Sequence, residues 1–195
     1  MELIRKTIAT DEQYLRQISK DVSFENDLYK EQIQLLEKFC LENECFALAA
    51  VQIGMPVRMI YLKNTTLDVA LEEKNYNESK VLINPVVLSR KGRTKFWEAC
   101  LSCLDFMGLV SRPYEIIVRY FDADGMQHED TFNDFSATVL SHELDHLDGI
   151  LHMDIAEEVL TIPKEQRKDF RKEHPYEIIS KTCEYNDNFH RVRGK

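Results

Sequence analysis

Residues 139–149 read V-L-S-H-E-L-D-H-L-D-G, and this stretch constrains the fold more than any other part of the chain. On a helix with 3.6 residues per turn, His142 and His146 leave the same face one turn apart, so two imidazoles can reach one metal ion. Glu143 then stands beside that ion rather than in its coordination shell, placed to take a proton from a water molecule. Leu140, Leu144 and Leu147 can bury the flank of the helix, and Gly149 is suited to stop it. A helix carrying buried metal ligands must be central, and the rest of the chain must supply a third ligand, an electrophilic contact and a cleft. The bland alternative is a solvated helix whose histidines bind nothing.

Several third ligands are available. H142-E-L-D-H146-L-D-G149-I-L-H152 satisfies the long zinc-protease pattern H-E-x-x-H-x-x-G-x-x-H, which makes a metzincin-like protease with His152 as ligand a competing reading. Cys100-L-S-Cys103 can supply a thiolate, half of a structural zinc site, or a redox pair. The five cysteines are an odd number, and no long apolar signal-peptide core opens the chain, so reduced thiols in a cytosolic protein are expected. No run approaches the ~18 apolar residues of a membrane span. A net charge of −9 argues against a nucleic-acid binder with a broad basic surface, and the basic tail from His190 to Lys195 is too short to change that.

Along the 195 residues the patterns predict one α+β domain. Helical periodicity appears over 11–21 and, more strongly, over 28–43. V-R-M-I-Y-L at 57–62 reads as a strand, and polar residues 63–80 as an exposed loop. V-L-I-N-P-V-V-L reads as a strand in which Pro85 predicts an edge or a break. E-I-I-V-R-Y-F-D and M-Q-H-E-D-T-F flank D-A-D-G as a hairpin with Gly125 at positive φ. The metal helix is predicted from Phe135 to Leu147, with Asn133, Asp134 or Ser136 as N-cap. A charged helix is predicted near 163–173, and 175–185 fits a strand or a helix equally.

Two upstream stretches redirect the reading. C-F-A-L-A-A-V-Q at 45–52 and W-E-A-C-L-S at 97–102, followed by S-H-E-L-D-H-L-D-G, resemble the three ordered motifs of the peptide deformylase family, G-x-G-x-A-A-x-Q, E-G-C-L-S and Q-H-E-x-D-H-L-x-G. The resemblance extends to L-R-Q-I-S-K-D-V, to L-I-N-P and to Arg112, and covers residues 4–160. It implies mostly antiparallel sheets packed around the central metal helix, with 1–160 as the catalytic domain and 161–195 as its C-terminal extension, ending in a flexible tail.

The resemblance further implies that Cys100, His142 and His146 hold one divalent ion, Fe²⁺ in the cell with Zn²⁺, Ni²⁺ or Co²⁺ as alternatives. The implied reaction removes the N-formyl group from the initiator methionine of a nascent peptide, with a transient encounter with the ribosome and no direct nucleic-acid or membrane contact. Glu143 would act as general base and then acid, while the Gln52 amide and the Leu101 N–H stabilise the oxyanion. Cys45, Phe46, Ala47 and Ala99 would line the peptide, and apolar residues near the metal helix would take the methionine side chain. Glu98 and Arg112 would pair to fix the cysteine loop, with Asp145 supporting the ligands. The departures from the pattern are Cys45, Ala47 and Ala99 in place of glycines and Ser141 in place of glutamine. Each added Cβ takes space beside the peptide, which predicts a narrowed cleft and leaves a metal- or peptide-binding protein of altered activity as a further reading.

Overall fold

The computed structural model describes residues 3–63 and 79–186. Its frame is an eight-stranded sheet: β1 (Ala47–Ala49), β2 (Met59–Lys63), β3 (Ser79–Ala99), β4 (Phe106–Arg112), β5 (Glu115–Phe121), β6 (Gln127–Asn133), β7 (Glu158–Thr161) and β8 (Glu177–Glu184). Every pairing between these strands is antiparallel, and an isolated parallel bridge joins Lys20 to Val57. The helices are α1 (Glu12–Leu15), α2 (Leu28–Glu42), α3 (Asp134–Leu147), α4 (His152–Ile155) and α5 (Arg167–Glu173).

The strand period of two explains how the sheet carries a core on each face. Met59, Tyr61, Val81 and Ile83 turn toward Ile33, Leu36 and Cys40 of α2. Their neighbours Ile60, Leu62 and Leu82 turn the other way, joining Ile116 and Val118 against Leu140, Leu144 and Leu147 of α3. The metal helix therefore lies on one face of the sheet and α2 on the other, and β2 is apolar at nearly every position because both its faces are covered.

Several predicted boundaries shift. The helix expected over 11–21 is confined to Glu12–Leu15. The predicted break at Pro85 is a bulge: β3 runs on through it, with Asn84 at φ 50 and a register shift between Ile83 and Val86. The Asn84 side chain makes this possible by clamping the Val22 backbone, accepting from its N–H at 2.8 Å and donating to its carbonyl at 3.0 Å. No side-chain cap bond forms at the start of α3, contrary to expectation; Ser136 Oγ instead donates to the Asn133 carbonyl. The ambiguous 175–185 segment is strand β8, paired with β3. Of the loop expected over 63–80, Lys63, Ser79 and Lys80 are strand residues, while 64–78 lie outside the described residues, as does the tail from 187. Gly125 has the predicted positive φ.

The C-terminal end of α3 is closed as the sequence suggests. Gly149 N–H donates to the His146 carbonyl at 3.2 Å, Ile150 N–H to that of Asp145 at 2.9 Å, and Gly149 sits at φ 73, which forms a Schellman stop. A Cβ at Gly149 would lie 2.3 Å from the Arg16 carbonyl oxygen, so the stop is also where the N-terminal segment docks.

Candidate metal centre and cleft

Three distant pieces of chain meet at the helix. The end of β3 delivers Cys100, α3 delivers His142 and His146, and the 3-10 turn at Ala50–Ile53 delivers Gln52. One ligand atom from each of Cys100, His142 and His146 lies within 4.8 Å of the others, and among the described residues no other group of histidine, cysteine or carboxylate side chains gathers this way. Cys100 Sγ is 3.2 Å from His146 Nε2. The donor set of one thiolate and two imidazoles suits a borderline divalent ion.

The orientation of His142 is set from behind. Its Nδ1 pairs with Glu98 Oε2 at 2.8 Å, which turns Nε2 toward the other donors. Glu98 is held in turn by Arg112, with Nε to Oε1 at 2.7 Å and Nη2 to Oε2 at 3.0 Å. The remaining arm of Arg112 binds Asp145. Although burial opposes its charge, Arg112 and His142 hold Glu98 well below the usual carboxylate range. The ion pair and the supporting Asp145 expected from the sequence are thus physically joined.

Glu143 is buried beside the ligands, and its Oε2 has no hydrogen-bond partner among the described residues. Burial pushes its pKa up to about 7, against the pull of His142, so it is poised to exchange a proton near neutrality. Gln52 is locked by its own carbonyl, which accepts from Ala49 N–H at 2.9 Å. Its amide Nε2 faces Cys100 Sγ at 3.5 Å and donates to Ser102 Oγ at 3.1 Å. The Leu101 N–H donates to nothing among the described residues.

A cavity of about 580 Å³ opens at this centre, lined by Gln52, Cys100, Leu101, His142 and Glu143. Cys45, Phe46, Ala47 and Ala99 line it as well. The added Cβ atoms therefore leave a space of the size that small peptides and cofactors occupy. Its wall also includes residues the sequence did not single out. Phe96 alternates with Glu98 and Cys100 along β3, and Phe135, Thr138 and Val139 precede His142 on one helical face, so strand and helix periods could have found them. Lys164 and Arg171 come from the C-terminal segment and carry no such signal.

Two rival ligand assignments that the sequence left open are not assembled among the described residues. His152 is buried but stands outside the donor cluster, with its ring centroid 5.6 Å from that of His142 and neither ring nitrogen hydrogen-bonded among the described residues. Cys103 is a free, buried thiol packed with Leu15 and Leu151. No helix among the described residues is long and apolar enough to cross a membrane.

The model of the family described as Polypeptide deformylase matches residues 4–161. A peptide deformylase of Brucella suis is 34% identical over 153 residues, covering 77% of this chain and 83% of its own. One from Bartonella henselae is 35% identical over 152 residues, with 77% and 83% covered. Among solved structures, a probable peptide deformylase from Synechococcus phage S-SSM7 superimposes with a TM-score of 0.67 at 32% identity, covering 78% of this chain and 99% of its own. A Met-Ala-Ser-bound class I type b peptide deformylase from Acinetobacter baumannii gives 0.68 at 25% identity, covering 78% and 97%.

Proposed function

The chain belongs to the peptide deformylase family, and on that premise we propose how its cleft removes the N-formyl group from the initiator methionine of a nascent peptide and releases formate. The observation that carries this reading is the convergence of Cys100, His142 and His146 with Glu143 and Gln52 at one peptide-sized cavity. A divalent ion held by the three donors, Fe²⁺ in the cell with Zn²⁺, Ni²⁺ or Co²⁺ as substitutes, supplies Lewis acidity and lowers the pKa of water.

Glu143 accepts the proton of the attacking water and returns it to the departing amine. The Gln52 amide, aimed by its bond to Ala49, and the unpaired Leu101 N–H donate to the oxyanion that develops on the formyl oxygen. The peptide backbone runs past Cys45, Phe46, Ala47 and Ala99. Phe135 and Val139, on the ligand face of α3, receive the methionine side chain. Residues 1–160 form the catalytic unit and 161–195 extend it. A substrate that is still a nascent chain places the reaction in the cytoplasm, with a transient encounter with the ribosome.

The test is formate release from formyl-Met-Ala-Ser by anaerobically prepared, metal-loaded protein, since a relative is bound to Met-Ala-Ser. Turnover supports the reading. Tight peptide binding with a loaded metal and no formate would make the chain a binding protein, and cleavage of an internal peptide bond would restore the protease reading.

A further inference from the structure

The C-terminal segment, beyond the residues matched by the family model, folds back onto the cleft. Helix α5 lays Arg171 over the ring of Phe96, with its guanidinium carbon 5.0 Å from the centroid. Its Nε and Nη2 both donate to the Trp97 carbonyl at 3.3 Å, and Phe170 packs edge-on to Trp97 at 5.2 Å. These contacts fasten the helix to β3 just before Glu98 and make Arg171 part of the cleft wall, together with Lys164 from the preceding turn.

Arg171 has no carboxylate partner among the described residues. Its Nη1 end makes no hydrogen bond there. Of the carboxylates of the inner cleft, Glu98 is paired with Arg112 and His142, and Glu143 is reserved for proton transfer in the proposed reaction. Glu44, just before the first motif, also lines the cavity, and no ion pair ties it to Arg171 or Lys164 among the described residues. Burial and the neighbouring Arg167 lower the pKa of Arg171 to about 10, so holding its charge here is costly. A partly buried guanidinium without a counter-ion among the described residues, set in the wall of a substrate cleft, is arranged for an anion that arrives with the substrate. The planar fork fits a carboxylate in particular. Lys164, also without an ion-pair partner among the described residues, adds a second positive charge.

We propose that Arg171, assisted by Lys164, binds a carboxylate of the peptide substrate, so that this chain selects formyl-methionyl peptides with an acidic side chain or a free C-terminal carboxylate near the formylated end. The inference rests on the deformylase reading. It gives the C-terminal segment a role in specificity that the three motifs do not contain.

The test compares kcat/KM for formate release from paired formyl-Met tripeptides, Asp against Asn at the second and third positions and free carboxylate against amide at the C-terminus. The wild type is expected to prefer the charged member of one pair by about tenfold, and added salt should erode that preference. In Arg171→Gln the ratio should fall toward one, and Arg171→Lys should retain part of it. The pair that responds identifies the side chain or the terminus as the source. Fluorescence of Trp97, the one tryptophan, gives Kd for the corresponding deformylated peptides without turnover and should show the same order. Equal kcat/KM within every wild-type pair, or a preference unchanged in Arg171→Gln, overturns the proposal. Should Arg171→Gln fail to fold, the wild-type ratios and the Arg171→Lys ratios decide. Loss of formate release from all peptides, neutral ones included, would instead be a failure of the deformylase reading.

Discussion

Arg112 and Glu98 form a forked, fully buried ion pair, and the oxygen that accepts from Arg112 Nη2 also accepts from His142 Nδ1. A residue on β4 thereby fixes the tautomer and direction of a ligand on α3. Removing the guanidinium in Arg112→Met leaves a carboxylate buried without its partner, at a cost of about 3–5 kcal/mol. Metal affinity should also fall by roughly 10–100-fold as His142 loses its orientation. Arg112→Lys keeps the charge without the fork and should fall between. Denaturant unfolding and competitive metal titration measure the two effects; a fully retained metal affinity in Arg112→Met would refute the coupling.

The position of the third ligand is separable by stoichiometry. Cys100→Ala is expected to lose the bound metal, whereas His152→Leu should keep one ion per chain because His152 lies outside the donor cluster. Elemental analysis after desalting decides, and the reverse pattern would reinstate the protease-like ligand set.

His152 also predicts how stability depends on pH. Burial, reinforced by His142, lowers its pKa from 6.5 to about 4 in the folded state. The unfolded chain therefore binds this proton first, and stability is fully present above pH 6.5 and declines as the pH falls toward about 4. The contribution lost across that window is about 3 kcal/mol. Thermal melts between pH 7 and 4 should show a shallower acid limb in His152→Leu than in the wild type.

Gln52→Leu removes an aimed donor while keeping bulk and apolar packing. The kcat for formate release should drop by roughly 10²–10³ with KM changed far less. An equal rise in KM with kcat preserved would assign Gln52 to substrate binding.

Gly149→Ala should cost at least about 2 kcal/mol, since the residue must hold φ 73 and its Cβ would meet the Arg16 carbonyl. For a chain of this size that lowers Tm by roughly 4–8 °C. Calorimetry checks it.

Read without coordinates, the chain already determines the metal helix, because His142, Glu143 and His146 owe their arrangement to a local period, and Gly149 owes its stop to a local backbone conformation. The order of the three motifs likewise names Cys100, Gln52 and Leu101, and the hairpin around Gly125 follows from its turn residues. Strand β4 and the second half of β3 escape such reading. K-G-R-T-K-F-W-E-A alternates charged and uncharged residues up to Phe96 but offers Gly92 and Thr94 rather than large apolar side chains on its buried side, and its strand state is fixed by pairing with β4 and β8 rather than by propensity. Pro85 passes inside a strand only because Asn84 finds the Val22 backbone, sixty-two positions away in sequence. Whether His152 or Cys100 joins the two helical histidines depends on where the end of β3 crosses α3, and so does the grip of Arg112 on Glu98. Arg171 reaches the cleft only because α5 and β8 fold back over β3. Local periods set which side chains share a face, but the long-range pairings of the sheet decide which faces meet.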